Sequence, residues 1–381
     1  MTETLYWRFD PLDTWFFREA RGFETSGHNE LSSLFPPPAR TVAGALRTLI
    51  GEQQQVDWSR FPEADAYAEL RALIGDGDSL GQLELTGPYP LWNGARLYPV
   101  PQHLLGKDGK YRFLEPGEPV TCDLGRVTLP QIRATADGPL LGAKPLEGGW
   151  LERADLQRVL AGKVPARVLF NDDLFDEEPR LGIARDNARR TGRDGLLYQT
   201  RHLRPRAGLA IGVGSRGLSA DMLSTSDVIR FGGEARPSAV RLVAEQPVGP
   251  EPPVAQGNQL ALMLLTPADF DREWLPPGFI PSERDGLGVW QGKIRGVSLT
   301  LRCAVIGKTA REGGWDLANQ RPRPVRSLVP AGSIYFCTLD DGVDARAAVE
   351  ALHGQHIGRD SALGRGELAV GLWPIEGDEN A

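Results

Sequence analysis

The loop Phe231-Gly232-Gly233-Glu234-Ala235-Arg236 leads into an apolar strand at residues 239–244 and follows a possible short helix at 220–229. Near the end of the chain the order recurs, with a helix over 343–353, the loop Leu363-Gly364-Arg365-Gly366-Glu367 and a strand over 368–373. A duplication explains this repetition of helix, glycine loop and strand better than two coincidences do. The sequence therefore predicts two copies of one α+β unit.

A proline-rich stretch separates the two predicted copies. Residues 246–257 hold four prolines and two glycines, which exclude a helix or an internal strand. On its C-terminal side an apolar run of strand length restarts at Gln259. We therefore expect a first domain at 1–245, a linker at 246–257 and a second domain at 258–381.

Each half supplies the parts of a βαββαβ unit. After Pro36-Pro37-Pro38, the apolar residues of 40–50 recur at helical spacing. Residues 196–203 and 208–213 are expected to pair as strands in the first half, and 298–306 and 333–339 in the second. The first domain also carries a long insertion at about 52–180, with a hairpin at Trp92-Asn93-Gly94.

Composition narrows the function classes. The 381 residues are 41% hydrophobic and 24% charged, with a net charge of -7 and no apolar run long enough for a membrane span. The N-terminus lacks the basic and apolar regions of a secretion signal. The 3 cysteines lie far apart, which argues against a zinc site and a disulfide framework. We expect a cytoplasmic protein without metal or cofactor.

One stretch of the chain is basic although the net charge is negative. Seven arginines fall between Arg185 and Arg206, and the polar loop holding Arg185, Arg189 and Arg193 closes on a strand with Tyr198. Guanidinium groups bind phosphates, and a tyrosine on a strand offers a stacking surface for bases. This pattern favours nucleic acid. A solvated basic loop and a contact with an acidic protein remain the alternatives.

The two glycine loops extend this hypothesis. Glycine lets backbone approach a ligand without a Cβ clash, and successive amides can hold phosphate oxygens. Arg236 lies beside Gly232 and Gly233, and Arg365 lies between Gly364 and Gly366. Two such loops at equivalent places predict phosphate contacts in both halves.

Two enzymatic alternatives stay open. Residues 212–217 form a literal GxGxxG, which would bind a dinucleotide if a helix opened at these glycines. His28, in a polar loop before the first helix, would suit general acid–base chemistry in a ribonuclease. His353 and His356 lack a third ligand nearby, and the acidic run 171–178 is typical of a solvated face.

Several blocks resemble the third-subunit family of type III-B CRISPR (Cmr) effector complexes, within the RAMP superfamily. The most specific is Phe16-Phe-Arg18-Glu-Ala-Arg21 followed by Leu34-Phe-Pro-Pro-Pro-Ala-Arg40-Thr-Val-Ala-Gly-Ala-Leu-Arg47. Others are Gly87-Pro-Tyr-Pro-Leu, Leu181-Gly-Ile-Ala-Arg-Asp, Phe231-Gly-Gly-Glu-Ala-Arg236 and Leu328-Val-Pro-Ala-Gly-Ser333. They occur in family order across nearly the whole chain.

The resemblance implies two tandem ferredoxin-like (RRM-like) domains and a non-catalytic role in antiviral defence. Such a subunit caps the 5′ end of the ribonucleoprotein, grips the repeat-derived tag of the guide RNA and docks the large polymerase-like subunit beside the backbone RAMP subunits. By motif position and chemistry, the RNA-binding candidates are Arg18, Arg21, Arg40, Arg47, Arg185, Arg189, Arg193, Tyr198, Gly232, Gly233, Arg236, Gly364, Arg365 and Gly366. Among them Arg47, on a helix that otherwise faces the core, is the first candidate for a structural role.

Overall fold

The computed structural model describes residues 3–20, 30–77, 79–123, 125–135, 138, 140–186, 191–220, 226–244, 247–255, 257–316 and 321–373, with backbone only at the described positions of 184–197. The fold is mixed α and β, with mostly strands and few helices. The expected α+β class is confirmed. Within the described ranges, no helix has both the length and the apolar character needed to cross a membrane.

The elements follow one another in this order. Up to residue 132 the strands are β1 (Leu5–Pro11), β2 (Glu30–Leu31), β3 (Glu84–Trp92), β4 (Ala95–Arg96), β5 (Tyr98–Pro99), β6 (Leu104–Lys107), β7 (Lys110–Cys122) and β8 (Gly125–Ile132). They continue with β9 (Lys144–Pro145), β10 (Gly149–Leu151), β11 (Leu169–Phe170), β12 (Phe175–Asp186), β13 (Thr191–Pro205), β14 (Leu209–Arg216), β15 (Ser226–Arg230) and β16 (Pro237–Val243). The last strands are β17 (Gln259–Leu264), β18 (Ile280–Arg284), β19 (Leu287–Ile294), β20 (Val297–Val305), β21 (Ala310–Glu312), β22 (Trp315–Asp316), β23 (Arg321–Pro322), β24 (Arg326–Leu328), β25 (Ile334–Leu339) and β26 (Leu368–Gly371). The helices are α1 (Ala39–Gln53), α2 (Ala68–Ile74), α3 (Arg153–Leu160), α4 (Asn171–Leu174) and α5 (Ala345–Leu352), with 3-10 turns at Asp65–Tyr67, Gly233–Ala235 and Ser361–Leu363.

The first half is built on a sheet in the order β15-β16-β1-β14-β3-β4. Trp7 and Phe9 of β1 point into a core shared with the apolar face of α1, where Val42, Leu46 and Ile50 are buried. This helix begins after Pro38, as the sequence predicts, because the preceding prolines exclude an earlier start. The Asn93-Gly94 turn between β3 and β4 has positive φ at both residues, as predicted.

The second half is built on a longer sheet in the order β26-β17-β25-β20-β19-β8-β7-β6-β9. Its strand β17 is buried on both faces, because Leu260 and Leu262 pack on the α5 side whereas Ala261 and Met263 pack against residues of 98–168. A continuous apolar run is what such a doubly covered strand requires. Part of the stretch predicted as an insertion therefore extends and covers the second sheet.

The two halves share a strand order. Four strands of each half can be taken and numbered in chain order. The fourth then lies beside the first, followed by the third and the second: β16-β1-β14-β3 and β26-β17-β25-β20. In the first half the second strand of this order is β3, which lies inside the range 52–180 predicted as an insertion. The predicted pairing of 298–306 with 333–339 is confirmed by β20 and β25.

Two sequence predictions about the first half are wrong. Residues 226–229 lie in β15, an edge strand paired with β16, and not in a helix. Residues 196–203 and 208–213 are strands but not partners, because β13 pairs with β12 and β2 whereas β14 lies between β1 and β3. The chain leaves one sheet at Pro205 and enters another at Leu209.

The dinucleotide hypothesis is also contradicted. Gly212 and Gly214 lie inside β14, in the middle of the first sheet, and not in a loop that opens a helix. A Cβ on Gly212 would clash with the Tyr89 ring, and one on Gly214 would meet Thr4 and Tyr6 side chains at 3.3 Å. These glycines make room for neighbouring side chains and leave no space for a pyrophosphate.

Candidate nucleic-acid interface

The two halves repeat one loop geometry in detail. Gly232 and Gly358 both have φ 88°. A Cβ on Gly232 would lie 2.6 Å from the Phe16 carbonyl oxygen, and one on Gly358 would lie 2.7 Å from that of Asp269. Two residues further on, Glu234 and Asp360 both have φ 54°. The predicted duplication of the loop is present, but the equivalent of Gly232 is Gly358 and not Gly364.

Each loop brings an arginine onto carboxylates of the protein. In the first half Arg236 Nη1 lies 3.1 Å from Asp13 Oδ2, and its Nη2 lies 3.3 Å from Glu234 Oε2. In the second half Arg365 Nη1 lies 3.2 Å from Asp360 Oδ2 and 3.8 Å from Asp269 Oδ2. The two arginines therefore occupy equivalent places, as the sequence predicts, but protein carboxylates bind them.

Burial makes Arg365 part of the protein interior. Its side chain is 2% exposed, and its Nη2 lies 2.7 Å from Glu312 Oε2. Burial alone would raise the pKa of Asp269, but hydrogen bonds from Arg359 and Arg326 outweigh it and hold that pKa below the ordinary value. This is an ion network that joins loops of the second half, with no exposed guanidinium at Arg365.

The predicted glycine cradles are filled by protein. A Cβ on Gly364 would clash with the backbone of Gly87, and one on Gly366 would clash with the Ile357 carbonyl. Gly233 lies against the Phe16 ring, and its N–H donates to the Phe16 carbonyl oxygen at 2.7 Å. Close approach is indeed why glycine is needed here, but what approaches is the chain itself.

The first arm, residues 175–206, is the hairpin of β12 and β13. It carries eight arginines and five acids, a net charge of +3 in a chain of net charge -7. At its base the guanidinium of Arg206 meets Asp176 at 2.9 Å, and Arg201 pairs with Glu30 and Glu177. Three of its five acids, Asp176, Glu177 and Glu178, thus lie at the base, where they hold arginines in place.

Further out, the first arm exposes apolar and aromatic groups. Tyr198 is 38% exposed, and its ring lies over Gly182, its partner on the neighbouring strand. Leu181 and Ile183 are exposed on the other face of the hairpin. The backbones of Arg185 and Arg193 belong to β12 and β13. Arg189 lies outside the described residues, as do Arg21 and His28. The structure therefore places Tyr198 on the same arm as Arg185 and Arg193.

The N-terminal candidates have separate surroundings. Arg18 is exposed, and its backbone bridges to Ser33. Arg40, in the first turn of α1, reaches Asp360 of the second half at 3.2 Å. Arg47 donates to the carbonyl oxygens of Ile74, Gly77 and Ser79. These contacts fit the structural role expected for Arg47 and leave Arg18 as the exposed candidate.

The second arm, residues 308–328, was missed by sequence reasoning. It is a twisted hairpin in which β21 pairs with β24 and β22 with β23. Trp315 is 48% exposed. Arg311 and Arg321 are exposed, and no ion pair joins them to another described residue. The signal available in the sequence was Arg321-Pro-Arg323, which repeats the Arg204-Pro-Arg206 that ends the first arm.

The described histidines serve packing and backbone contacts. His202 is fully buried, stacks on Phe16 and lies 3.0 Å from Thr14 Oγ1; burial lowers its pKa against the opposing effect of Glu234. His353 accepts from the Val370 N–H, and His356 lies 2.8 Å from the Arg365 carbonyl oxygen. In the ranges that the structure covers, no group of three potential ligand side chains comes together for a metal ion.

These features define an internally duplicated α+β protein with two basic arms. Over residues 7–373 the chain matches the family described as CRISPR-associated protein (Cas_Cmr3). The chain belongs to this family, and the resemblance seen in the sequence is confirmed.

Two solved structures are similar to the chain. One is a cryo-EM structure of the type III-B Cmr-beta bound to cognate target RNA and AMPPnP, in state 1, at 16% identity and a TM-score of 0.46. The other is of the Cmr-beta bound to cognate target RNA, at 17% identity and a TM-score of 0.45. Each match covers 88% of this chain and 86% of the other. No curated protein sequence matches the chain.

Proposed function

We propose that the chain is a non-catalytic, RNA-binding subunit of a type III-B CRISPR effector complex. Its ligand is the 5′ tag of the guide RNA, and its protein partners are the large polymerase-like subunit and the backbone RAMP subunits. Family membership supports the complex. The observation that carries RNA binding is the first arm, where a net charge of +3 and the half-exposed Tyr198 lie on one projecting hairpin.

The proposal selects among the residues predicted from the sequence. The remaining candidate RNA contacts are Arg18, Arg21, Arg185, Arg189, Arg193 and Tyr198. Three other arginines bind groups of the protein itself: Arg47, Arg236 and Arg365. The space beside the four loop glycines is filled by protein atoms. Arg40 links α1 to the second half through Asp360.

We further propose two ferredoxin-like domains, at 1–245 and 258–381, joined by the linker 246–257. The shared strand order and the equivalent loops at Gly232 and Gly358 support this duplication. A helix contributes to the core on the sheet of each half, α1 in the first and α5 in the second. Residues 247–255 have no regular secondary structure, in keeping with a linker.

A non-catalytic role is supported by the surroundings of the four described histidines, which are buried or bonded to backbone groups. His103 and His202 are buried, and His353 and His356 bond backbone groups. The alternative is an endoribonuclease that uses His28. Incubation of the purified chain with repeat RNA tests it: no cleavage is expected, and cleavage lost in His28→Ala would establish the alternative.

RNA binding by the first arm is tested by charge reversal. Arg185→Glu with Arg193→Glu should weaken binding of a tag-containing guide RNA and lower the slope of log affinity against log salt by about two, because each lost phosphate contact removes about one. Arg167→Glu with Arg346→Glu reverses two exposed arginines away from the arms and is the matched control. Equal affinity and slope in the arm variant and the wild type would exclude this arm.

A further inference from the structure

We propose that the second arm is a second binding site for single-stranded RNA, in which a base stacks on Trp315 and Arg311 and Arg321 contact phosphates. The proposal rests on the RNA-binding function proposed above, but it concerns a different hairpin from the one predicted by sequence. It assigns a ligand to residues that neither the family motifs nor the glycine loops include.

The position of the second arm is the first argument. In each half an arm is inserted between the second and third strands of the shared order: residues 175–206 between β3 and β14, and residues 308–328 between β20 and β25. The base of each is held by the segment after the first strand. Trp15 bridges Leu203 in the first half, and Ala268 bridges Val329 in the second. The two arms are therefore structural equivalents.

Charge is the second argument. The second arm has five basic and two acidic side chains, a net charge of +3 like the first arm. Its acids, Glu312 and Asp316, are each 8% exposed, and Glu312 is held by Arg365 at 2.7 Å. Arg311 and Arg321 face solvent instead. The accessible charge of this arm is consequently positive, which suits a polyanion.

The exposed aromatic ring is the third argument. Trp315 lies opposite Pro322 on the ladder of β22 and β23 and remains 48% exposed. In the sequence it is preceded by Gly313 and Gly314 and followed by Asp316. An exposed indole on an arm that also carries the exposed Arg311 and Arg321 matches the way proteins hold unpaired bases.

The neighbourhood of the arm is the fourth argument. A Cβ on Gly313 would lie 2.9 Å from the Cβ of Ala20, so the second arm touches the N-terminal segment that carries Arg18. Arg326, at the base of the arm, lies 2.7 Å from Asp360 on the loop that Arg40 also contacts. An RNA strand bound beside Arg18 would thus continue onto the second arm.

The test uses the full chain and a fluorescent single-stranded RNA of about 16 nucleotides, within the range of single-stranded binding sites. Trp315→Ala should weaken binding about tenfold, whereas Trp315→Phe, which keeps a stacking ring, should restore most of it. Trp58→Ala, which removes an aromatic ring that is 42% exposed and lies outside both arms, should leave affinity unchanged. Equal melting temperatures are required of all variants.

Photo-crosslinking gives a second readout. RNA carrying 5-iodouridine should crosslink to the peptide containing Trp315, and Arg311→Glu with Arg321→Glu should lower the salt slope by about two. If the wild-type chain binds RNA and first-arm variants weaken it, but second-arm variants match the wild type, this inference fails alone. If those second-arm variants instead lose a protein partner, the arm is a protein-docking surface and the inference is again overturned. If the wild-type chain binds no RNA, both proposals fall together.

Discussion

Arg96 donates two hydrogen bonds to Glu367, from Nη1 to Oε1 at 3.0 Å and from Nη2 to Oε2 at 2.6 Å. The pair connects β4 of the first half to the residue before β26 of the second. Both side chains are 9% exposed, and the guanidinium lies between the rings of Tyr89 and Tyr98. Burial raises the pKa of Glu367, but the charge and hydrogen bonds of Arg96 outweigh this effect and hold it below the ordinary value.

Arg96→Ala should therefore destabilise the chain severely. Removing one partner leaves Glu367 as an uncompensated buried charge, which costs about 3–5 kcal/mol. Urea denaturation at pH 7 measures the loss. Arg346→Ala breaks an exposed pair with Glu350 on α5 and should have little effect. A loss no larger for Arg96→Ala than for Arg346→Ala would show that the buried pair does not hold the halves together.

The equivalence of Gly232 and Gly358 predicts equal losses on substitution. Both have φ 88°, and at both a Cβ would approach a carbonyl oxygen too closely, so each alanine variant should lose at least about 1–3 kcal/mol. Gly44→Ala is the control, because its Cβ would meet nothing within 4 Å on the exposed face of α1. That variant should gain up to about 1 kcal/mol. A large loss at only one of the two loop glycines would contradict the equivalence.

Sequence reasoning found the duplication but misaligned the second loop. The Phe231 N–H donates to the Arg236 carbonyl oxygen, whereas the Ile357 N–H donates to that of Gly366, so the second loop is four residues longer. Matching letters favoured Leu363-Gly364-Arg365-Gly366-Glu367 because it too combines glycine with glutamate. Only the backbone conformation reveals that Gly358 has the same position and conformation in its loop as Gly232.

The sequence predicts where the positive charge of the candidate site lies, but not which carboxylates bind its arginines. A run of arginines shows where positive charge concentrates, yet Asp13, which binds Arg236, lies 223 residues away in sequence. No spacing rule reveals such a partner. The helix α1 could be predicted because its signals, the prolines and the apolar stripe, are local. The second arm escaped notice because its strands are two or three residues long.

His103 should make the chain sensitive to acid. It is buried against Phe113, and burial lowers its pKa from 6.5 to about 3. Below pH 6.5 the unfolded chain binds a proton that the folded chain does not, so the contribution present above this pH is lost as the pH falls. The loss is about 1.4 kcal/mol per pH unit once the unfolded histidine is fully protonated.

The comparison is between wild type and His103→Phe, by urea denaturation at pH 7, 6 and 5. The variant keeps an aromatic ring beside Phe113 and should lose about 1 kcal/mol less than the wild type between pH 6 and pH 5. Parallel pH profiles for the two chains would show that His103 is not the group responsible.

Tyr198 separates a stacking role from a structural one on the first arm. Its ring lies over Gly182, where nothing larger than glycine fits, and it remains 38% exposed. If a base stacks on it, Tyr198→Ala should weaken RNA binding by about 1–3 kcal/mol and Tyr198→Phe should bind like the wild type. Thermal unfolding checks that the alanine variant folds. A melting temperature lowered by Tyr198→Ala with unchanged RNA affinity would assign the ring to the hairpin alone, because its contact with Gly182 would then be its whole contribution.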